Sequence, residues 1–105
     1  MFKNINNAEF TELVEEGNVT VIDVRTPNEV NDGHIGAAQH FIDINNEPFE
    51  ARIQELDKSK NYIVYCRSGA RSARACSIMA GNGFTGKLYN LANGILGWDG
   101  DLKTN

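Results

Sequence analysis

Tyr62-Ile63-Val64-Tyr65-Cys66-Arg67-Ser68-Gly69-Ala70-Arg71-Ser72 is the stretch whose reading decides the fold. Tyr62 to Tyr65 is β-branched and aromatic, which reads as a buried strand. Ala70 to Met79 is rich in Ala, Ser and Arg and reads as a helix ending near Gly81-Asn82-Gly83. Only a tight loop separates the two. Upstream, Val19-Thr20-Val21-Ile22-Asp23-Val24 has the same strand character, and Lys87-Leu88-Tyr89-Asn90-Leu91 reads as a short third strand. Asn7 to Glu16 reads as a helix capped by Asn7, with Phe10, Leu13 and Val14 on one face and Gly17 as its stop. Phe49, Ile53 and Leu56 place a second amphipathic helix over Glu47 to Leu56, and Gly94 to Trp98 forms a final helical turn. Strands alternating with helices imply an α/β fold, a parallel sheet with helices on both faces. Sites in such sheets lie beyond the carboxyl ends of the strands. The candidate positions are therefore Asp23-Val24-Arg25, Cys66 onward and Asn90 onward.

The chain has 105 residues, room for a single domain spanning 1–105. Its 41% hydrophobic and 23% charged content is that of a soluble globular protein. A formal net charge of -4 gives no reason to expect a nucleic-acid partner. No apolar run reaches the length of a membrane span, and Met1 to Asn7 lacks the apolar segment of a signal peptide, so a cytoplasmic location is expected. Two Cys and two His suggest neither a disulfide framework nor a structural zinc site. Charge is unevenly spread: residues 1 to 57 hold 12 of the 14 acids, whereas Lys58 to Trp98 carries six Lys and Arg and no acid. The surface built by that second stretch is expected to favour anions.

Cys66 sits where a strand runs into a helix N-terminus. Backbone N–H groups of such a loop turn inward, and the helix end adds partial positive charge. A thiolate held there falls below the free value of about 8.5. Arg67 and Arg71 add fixed positive charge, Gly69 permits a tight turn, and no acid is near in sequence to oppose the effect. These residues describe an ionised sulfur nucleophile in an anion-binding cup.

Three segments together resemble the single-domain rhodaneses, thiosulfate sulfurtransferases, over roughly Phe2 to Trp98. Val21-Ile22-Asp23-Val24-Arg25 with Glu29 and Gly33-His34-Ile35 is similar to that family's first signature. Cys66-Arg67-Ser68-Gly69-Ala70-Arg71-Ser72, then Ala75 and Gly83-Phe84, is similar to its active-site segment. Asn90-Leu91, Gly94-Ile95 and Trp98 are similar to its closing motif. The chain departs from the family at Gly36-Ala37-Ala38, where Pro-Gly-Ala is usual, and at Asn93-Gly94, where Gly-Gly is usual. The resemblance implies a five-stranded parallel sheet in a three-layer fold. It also implies a catalytic Cys66 that takes a sulfane sulfur from a donor such as thiosulfate and holds it as a persulfide. A thiophile such as cyanide or a thiol then removes it, without a metal or organic cofactor. Arg67, Ser68, Gly69, Ala70 and Arg71 are the expected substrate-binding residues, with Asp23 and Arg25 in support. The partners implied are a small anionic donor and a thiophilic acceptor, which can include a protein thiol.

Two alternatives carry different chemistry. A module of this kind can serve as a protein-to-protein sulfur carrier, or only bind a partner. Cysteine phosphatases and arsenate reductases use a Cys-x5-Arg cup, but Cys66 to Arg71 is the shorter Cys-x4-Arg, sized for sulfur rather than a tetrahedral phosphoryl group. Phosphoryl transfer also wants a general acid, for which Asp23, Asp43 and Asp99 are candidates by presence alone. Arg25 pairs most simply with Asp23 or Glu29. His34 can serve as a base, although an ionised thiolate needs none, and His40 belongs to no motif. Cys76, inside the helix with Ala73 and Met79, reads as core packing rather than a resolving thiol, and Trp98 as a core anchor. Gly81-Asn82-Gly83-Phe84-Thr85-Gly86 matches a dinucleotide-binding pattern but follows a helix instead of a strand, so it is a false match.

Overall fold

The computed structural model describes residues 1–46 and 48–104. Five strands, β1 (Phe2–Ile5), β2 (Val19–Asp23), β4 (Ala38–Phe41), β5 (Asn61–Tyr65) and β6 (Leu88–Leu91), form one sheet in the order β1-β6-β5-β2-β4. Every pairing is parallel. Two short strands, β3 (His34–Ile35) and β7 (Leu102–Lys103), pair antiparallel beside it.

The central strands are apolar in both directions because both faces are covered. Ile22, Tyr62, Val64 and Leu88 face a core shared with Phe49 and Ile53 of α3 (Phe49–Ile53) and with Ala75, Cys76 and Met79 of α4 (Ala70–Gly81). Val21, Ile63, Tyr65 and Leu91 face the opposite core, with Phe10 of α1 (Asn7–Glu16). Trp98 packs there edge-on to Phe10 at 4.8 Å, as an anchor should. The result is the expected three-layer α/β arrangement.

Several local expectations are corrected. The cap of α1 is Asn6, one residue earlier than expected: its side chain accepts from Glu9 N (2.8 Å) while Glu9 accepts from Asn6 N (3.0 Å). The second helix is confined to Phe49–Ile53, with turn hydrogen bonds carrying on to Leu56, and Glu47 lies outside the described residues. The final turn is a 3-10 helix over Ile95–Gly97. Strands β1, β3, β4 and β7 and helix α2 (Pro27–Asn31) carry too few apolar residues to show a period. Helix α2 instead rests on a capping box between Thr26 and Glu29 with Pro27 in its first turn.

Register places the site. Asp23 at the end of β2 stands beside Tyr65 at the end of β5, and Val64 beside Asn90 of β6. From β5 the chain crosses through α4 to β6 on one side, while β2 leads to β4 on the other. The carboxyl ends of β2 and β5 therefore border the crevice where connections diverge.

Candidate active site

Cys66 follows β5 directly and is buried, 1% exposed. Its loop interlocks with the segment after β6. Ile95 N donates to Cys66 O (2.9 Å) and Leu96 N to Arg67 O (3.0 Å). Each side of this contact has a glycine that the geometry requires. Gly69 has φ +101°, and a Cβ there would lie 2.1 Å from Ala92 O. Gly94 has φ +60°, and a Cβ there would lie 2.3 Å from Arg67 O. At the Asn93-Gly94 departure only the second residue takes positive φ, so Asn93 fits without strain.

The thiol looks into the start of α4. Gly69 N donates to Cys66 Sγ at 3.1 Å, and Ser72 Oγ lies 3.4 Å from the same sulfur. Burial pushes the thiol up. Hydrogen bonds from the Ser72 hydroxyl and from the backbone N–H groups of Ser72, Gly69 and Ser68 outweigh it and leave Cys66 below its ordinary value. Arg67, Ser68 and Ala70 are exposed around the mouth. Arg67 lines a shallow cavity with Glu29, Ile95, Leu96 and Leu102.

The charge around this cup differs from the expectation. Although no acid lies near Cys66 in sequence, the fold brings one in: Glu29 takes both arms of Arg71, Oε1 to Nη1 at 2.7 Å and Oε2 to Nη2 at 2.9 Å. Both side chains are about one quarter exposed, 25% and 27%. Arg71 holds the Glu29 carboxyl down to about 2, against the opposing effect of burial and with help from Thr26. The charge of Arg71 is thus already matched.

Asp23 and Arg25 form a second, fully buried pair, 0% and 5% exposed. Arg25 Nη2 donates to Asp23 Oδ2 and to Gly33 O, both at 2.8 Å. The guanidinium lies 5.7 Å over the Tyr65 ring, whose hydroxyl accepts from Ile35 N at 3.0 Å. This pair pins the Gly33-His34-Ile35 turn. It also commits Asp23 to Arg25, which removes it as a general acid. His34 is engaged with its neighbour's carbonyl, Ile35 O (3.1 Å), and packs edge-on to Phe41 at 5.0 Å. His40 is half-buried on β4. Cys76 is fully buried, burial pushes its thiol to about 12, and its Sγ donates to Tyr89 O at 3.6 Å, all properties of a packing residue. Among the described residues no three His, Cys, Asp or Glu gather as metal ligands.

Glu29, Ser72 and Asn90 stand in the sequence motifs, which give them no role at the sulfur. Ser72 was legible as a residue in the first turn of α4. Asn90 was legible as a position at the carboxyl end of the third strand, whereas Glu29 was not, because only the pairing of β2 with β5 brings α2 to the loop.

The fold and the site define an α/β protein with a buried cysteine at a helix N-terminus, directly after a central strand and cradled by loop N–H groups. Known proteins narrow this. The family model for the rhodanese-like domain matches residues 6–101, so the chain belongs to the rhodanese-like domain family. It is 35% identical to a putative sulfurtransferase, YtwF, of Bacillus subtilis, over 96% of this chain and 94% of the relative. It is 37% identical to a sulfurtransferase of Allochromatium vinosum (82% and 77% covered) and 29% identical to the thiosulfate sulfurtransferase GlpE of Shewanella oneidensis (92% and 92%). The crystal structure of a rhodanese-like domain protein from Staphylococcus aureus matches with a TM-score of 0.82 at 26% identity, covering 99% of both chains.

Proposed function

We propose that this protein is a rhodanese-type sulfurtransferase acting through Cys66, with thiosulfate or a similar anionic sulfane donor as its substrate. The Cys66 thiolate attacks the outer sulfur of the donor. A new S–S bond forms, the donor's S–S bond breaks, and sulfite leaves with the electron pair. An acceptor such as cyanide or a thiol then attacks the outer sulfur of the persulfide and returns the electron pair to Sγ. This is covalent catalysis in two half-reactions. The observation that carries the reading is the Gly69 N–H aimed at Cys66 Sγ at 3.1 Å, at the N-terminus of α4. The loop N–H groups of Arg67 to Arg71 bind the anionic outer sulfur, and Asp23 and Arg25 support the loop from beneath. No helix among the described residues is long and apolar enough to cross a membrane. We place the protein in the cytoplasm, working as one domain over 1–105 with no metal or cofactor.

A protein-borne thiol acceptor is a second reading. It is favoured by Leu96 and Leu102, 61% and 51% exposed, which line the same cavity as Arg67.

The test is intact-mass analysis after incubation with thiosulfate, with and without a later thiol. Cys66 is expected to gain one sulfur and lose it to the thiol, and Cys66→Ser to gain none. Loading of Cys66→Ser, or no loading of the wild type, overturns the assignment.

A further inference from the structure

Ser72 is fully buried, and its hydroxyl has one proton and two possible destinations. One is Cys66 Sγ at 3.4 Å; the other is Asn90 Oδ1, to which Ser72 Oγ is hydrogen bonded. The orientation of Asn90 decides between them. Its Nδ2 donates to Gly69 O at 3.1 Å, and a carbonyl can only accept. Nδ2 also reaches Asn4 Oδ1 at 3.0 Å. The other atom of the amide, Oδ1, therefore faces Ser72 and can only accept. With the proton on Asn90, Ser72 offers Cys66 Sγ a lone pair. That suits a thiol, whose S–H donates to Ser72, and gives the inner sulfur of a persulfide, which has no proton, no hydrogen bond. It opposes a thiolate, which needs the proton turned toward it. Turning it leaves Asn90 Oδ1 buried without that donor.

We propose that Ser72 is a further catalytic residue, its proton resting on Asn90 Oδ1 while Cys66 Sγ is neutral and turning to Sγ as the sulfur gains charge, and that Asn90 is the residue that positions it. The inference rests on the reading of Cys66 as the nucleophile. In the second half-reaction the acceptor's electron pair forms a bond to the outer sulfur, the S–S bond breaks, and its electron pair stays on Sγ. The hydroxyl proton is not transferred; it changes hydrogen-bond partner as the charge appears. The Ser72–Sγ bond is thus strongest where the reaction needs it and weak in the persulfide, the condition for raising turnover rather than affinity.

The experiment is the pH profile of Cys66 carbamidomethylation by iodoacetamide, read by peptide mass, for wild type, Ser72→Ala, Asn90→Ala and the double variant. The other charged groups near Cys66 stay unchanged throughout: Arg71 with Glu29 and Asp43 from facing loops, Arg67 on the rim, and the Asp23–Arg25 pair beneath Tyr65. Asn90→Ala frees the proton for the thiolate and is expected to lower the midpoint by about one pH unit. Ser72→Ala is expected to raise it by about half a unit, because a hydrogen bond to a charged sulfur is about twice as strong as the neutral one it replaces. The double variant is expected to match Ser72→Ala, since Asn90 reaches Sγ through Ser72, and Gly69 O, its other partner, stays paired with Ala73 N. An equal Asn90→Ala shift with and without Ser72 overturns the inference. If Asn90→Ala does not fold, Ser72→Ala decides alone: Ala is at home in a helix, and an unmoved or lowered midpoint overturns the inference. Alkylation needs no sulfur donor. A chain that fails to load sulfur yet shows the coupled midpoints refutes the sulfurtransferase reading and leaves the Ser72–Asn90 device standing. Where loading succeeds, sulfur release to cyanide is expected to slow about tenfold in Ser72→Ala.

Discussion

If thiosulfate is the donor, a dianion must approach Cys66 past Arg71, and Arg71 is already held two-handed by Glu29. Three variants separate the charges. Arg71→Gln leaves the Glu29 carboxylate unmatched at the mouth and adds one negative charge. Glu29→Gln leaves the guanidinium unmatched and adds one positive charge, while Gln keeps the capping box with Thr26 at the start of α2. The double variant replaces a neutral pair by a neutral pair. Both side chains are about one quarter exposed, 25% and 27%, so water screens much of the field. A unit charge acting on a dianion there is worth about 1 to 2 kcal/mol, or about five- to thirtyfold in rate.

Persulfide formation from thiosulfate, followed by rapid quench and intact mass, is therefore expected to slow by that factor in Arg71→Gln. It should accelerate by a similar factor in Glu29→Gln and return to within about threefold of wild type in the double variant. Both single-variant effects should shrink with salt, whose screening length is about 10 Å at 0.1 M. Release of sulfur to cyanide, which can react in its neutral form, should change less. If Glu29→Gln fails to load faster than wild type, or the double variant is as slow as Arg71→Gln, charge at residue 71 does not govern the donor. Binding then rests on the loop N–H groups.

Three further outcomes are expected. Cys76→Ala should keep most of its sulfur-transfer rate and lose about 1 kcal/mol of stability in urea titration, because Cys76 is a packed residue of the α4 core; a collapse of turnover with persulfide trapped on Cys66 and unchanged circular dichroism would show a resolving role. Gly69→Ala should destabilise the fold by about 2 to 4 kcal/mol, from a positive φ and a Cβ driven against Ala92 O; an unmoved urea midpoint refutes that geometry. Glu29 is held at about 2 against an ordinary 4.5, so it stabilises the fold fully above about pH 4.5 and loses that contribution as pH falls toward 2. The urea-midpoint gap between wild type and Glu29→Gln should be constant from pH 7 to 5 and close below 4.5; a gap that persists at pH 2 contradicts the depressed carboxyl.

The parts of the fold legible in sequence are those whose burial writes a period. Val21-Ile22 and Ile63-Val64 are apolar on both faces because both faces meet helices, and no other local structure explains such runs so simply. Edge strand β4, Ala38–Phe41, alternates half-buried and exposed residues and offers no apolar run to mark it. Strand β1 has a single buried residue, Ile5, and is held by pairing with β6, a partner more than eighty residues away in sequence. Five strands could thus be expected only from the family resemblance. The Asn7 cap was misplaced by one residue because Asn6 and Asn7 are adjacent and both can cap, and the reciprocal bond from Glu9 selects Asn6.

At the site, the cysteine, its glycine and the helix N-terminus are contiguous in the chain, so local chemistry sufficed to read them. Electrostatic sign was not local. A count of residues 58 to 98 finds six bases and no acid, yet the acid that matters comes from α2, 42 residues before Arg71. The parallel pairing of β2 with β5 makes this meeting necessary: once Asp23 stands beside Tyr65, whatever follows β2 must share a crevice with whatever follows β5. The same register delivers Arg25 beneath Tyr65, and Asn90 to Ser72 through β6. Charge read along a sequence therefore describes a parallel α/β site only after the strand order is known, because the loops that face each other there come from strands adjacent in space and distant in the chain.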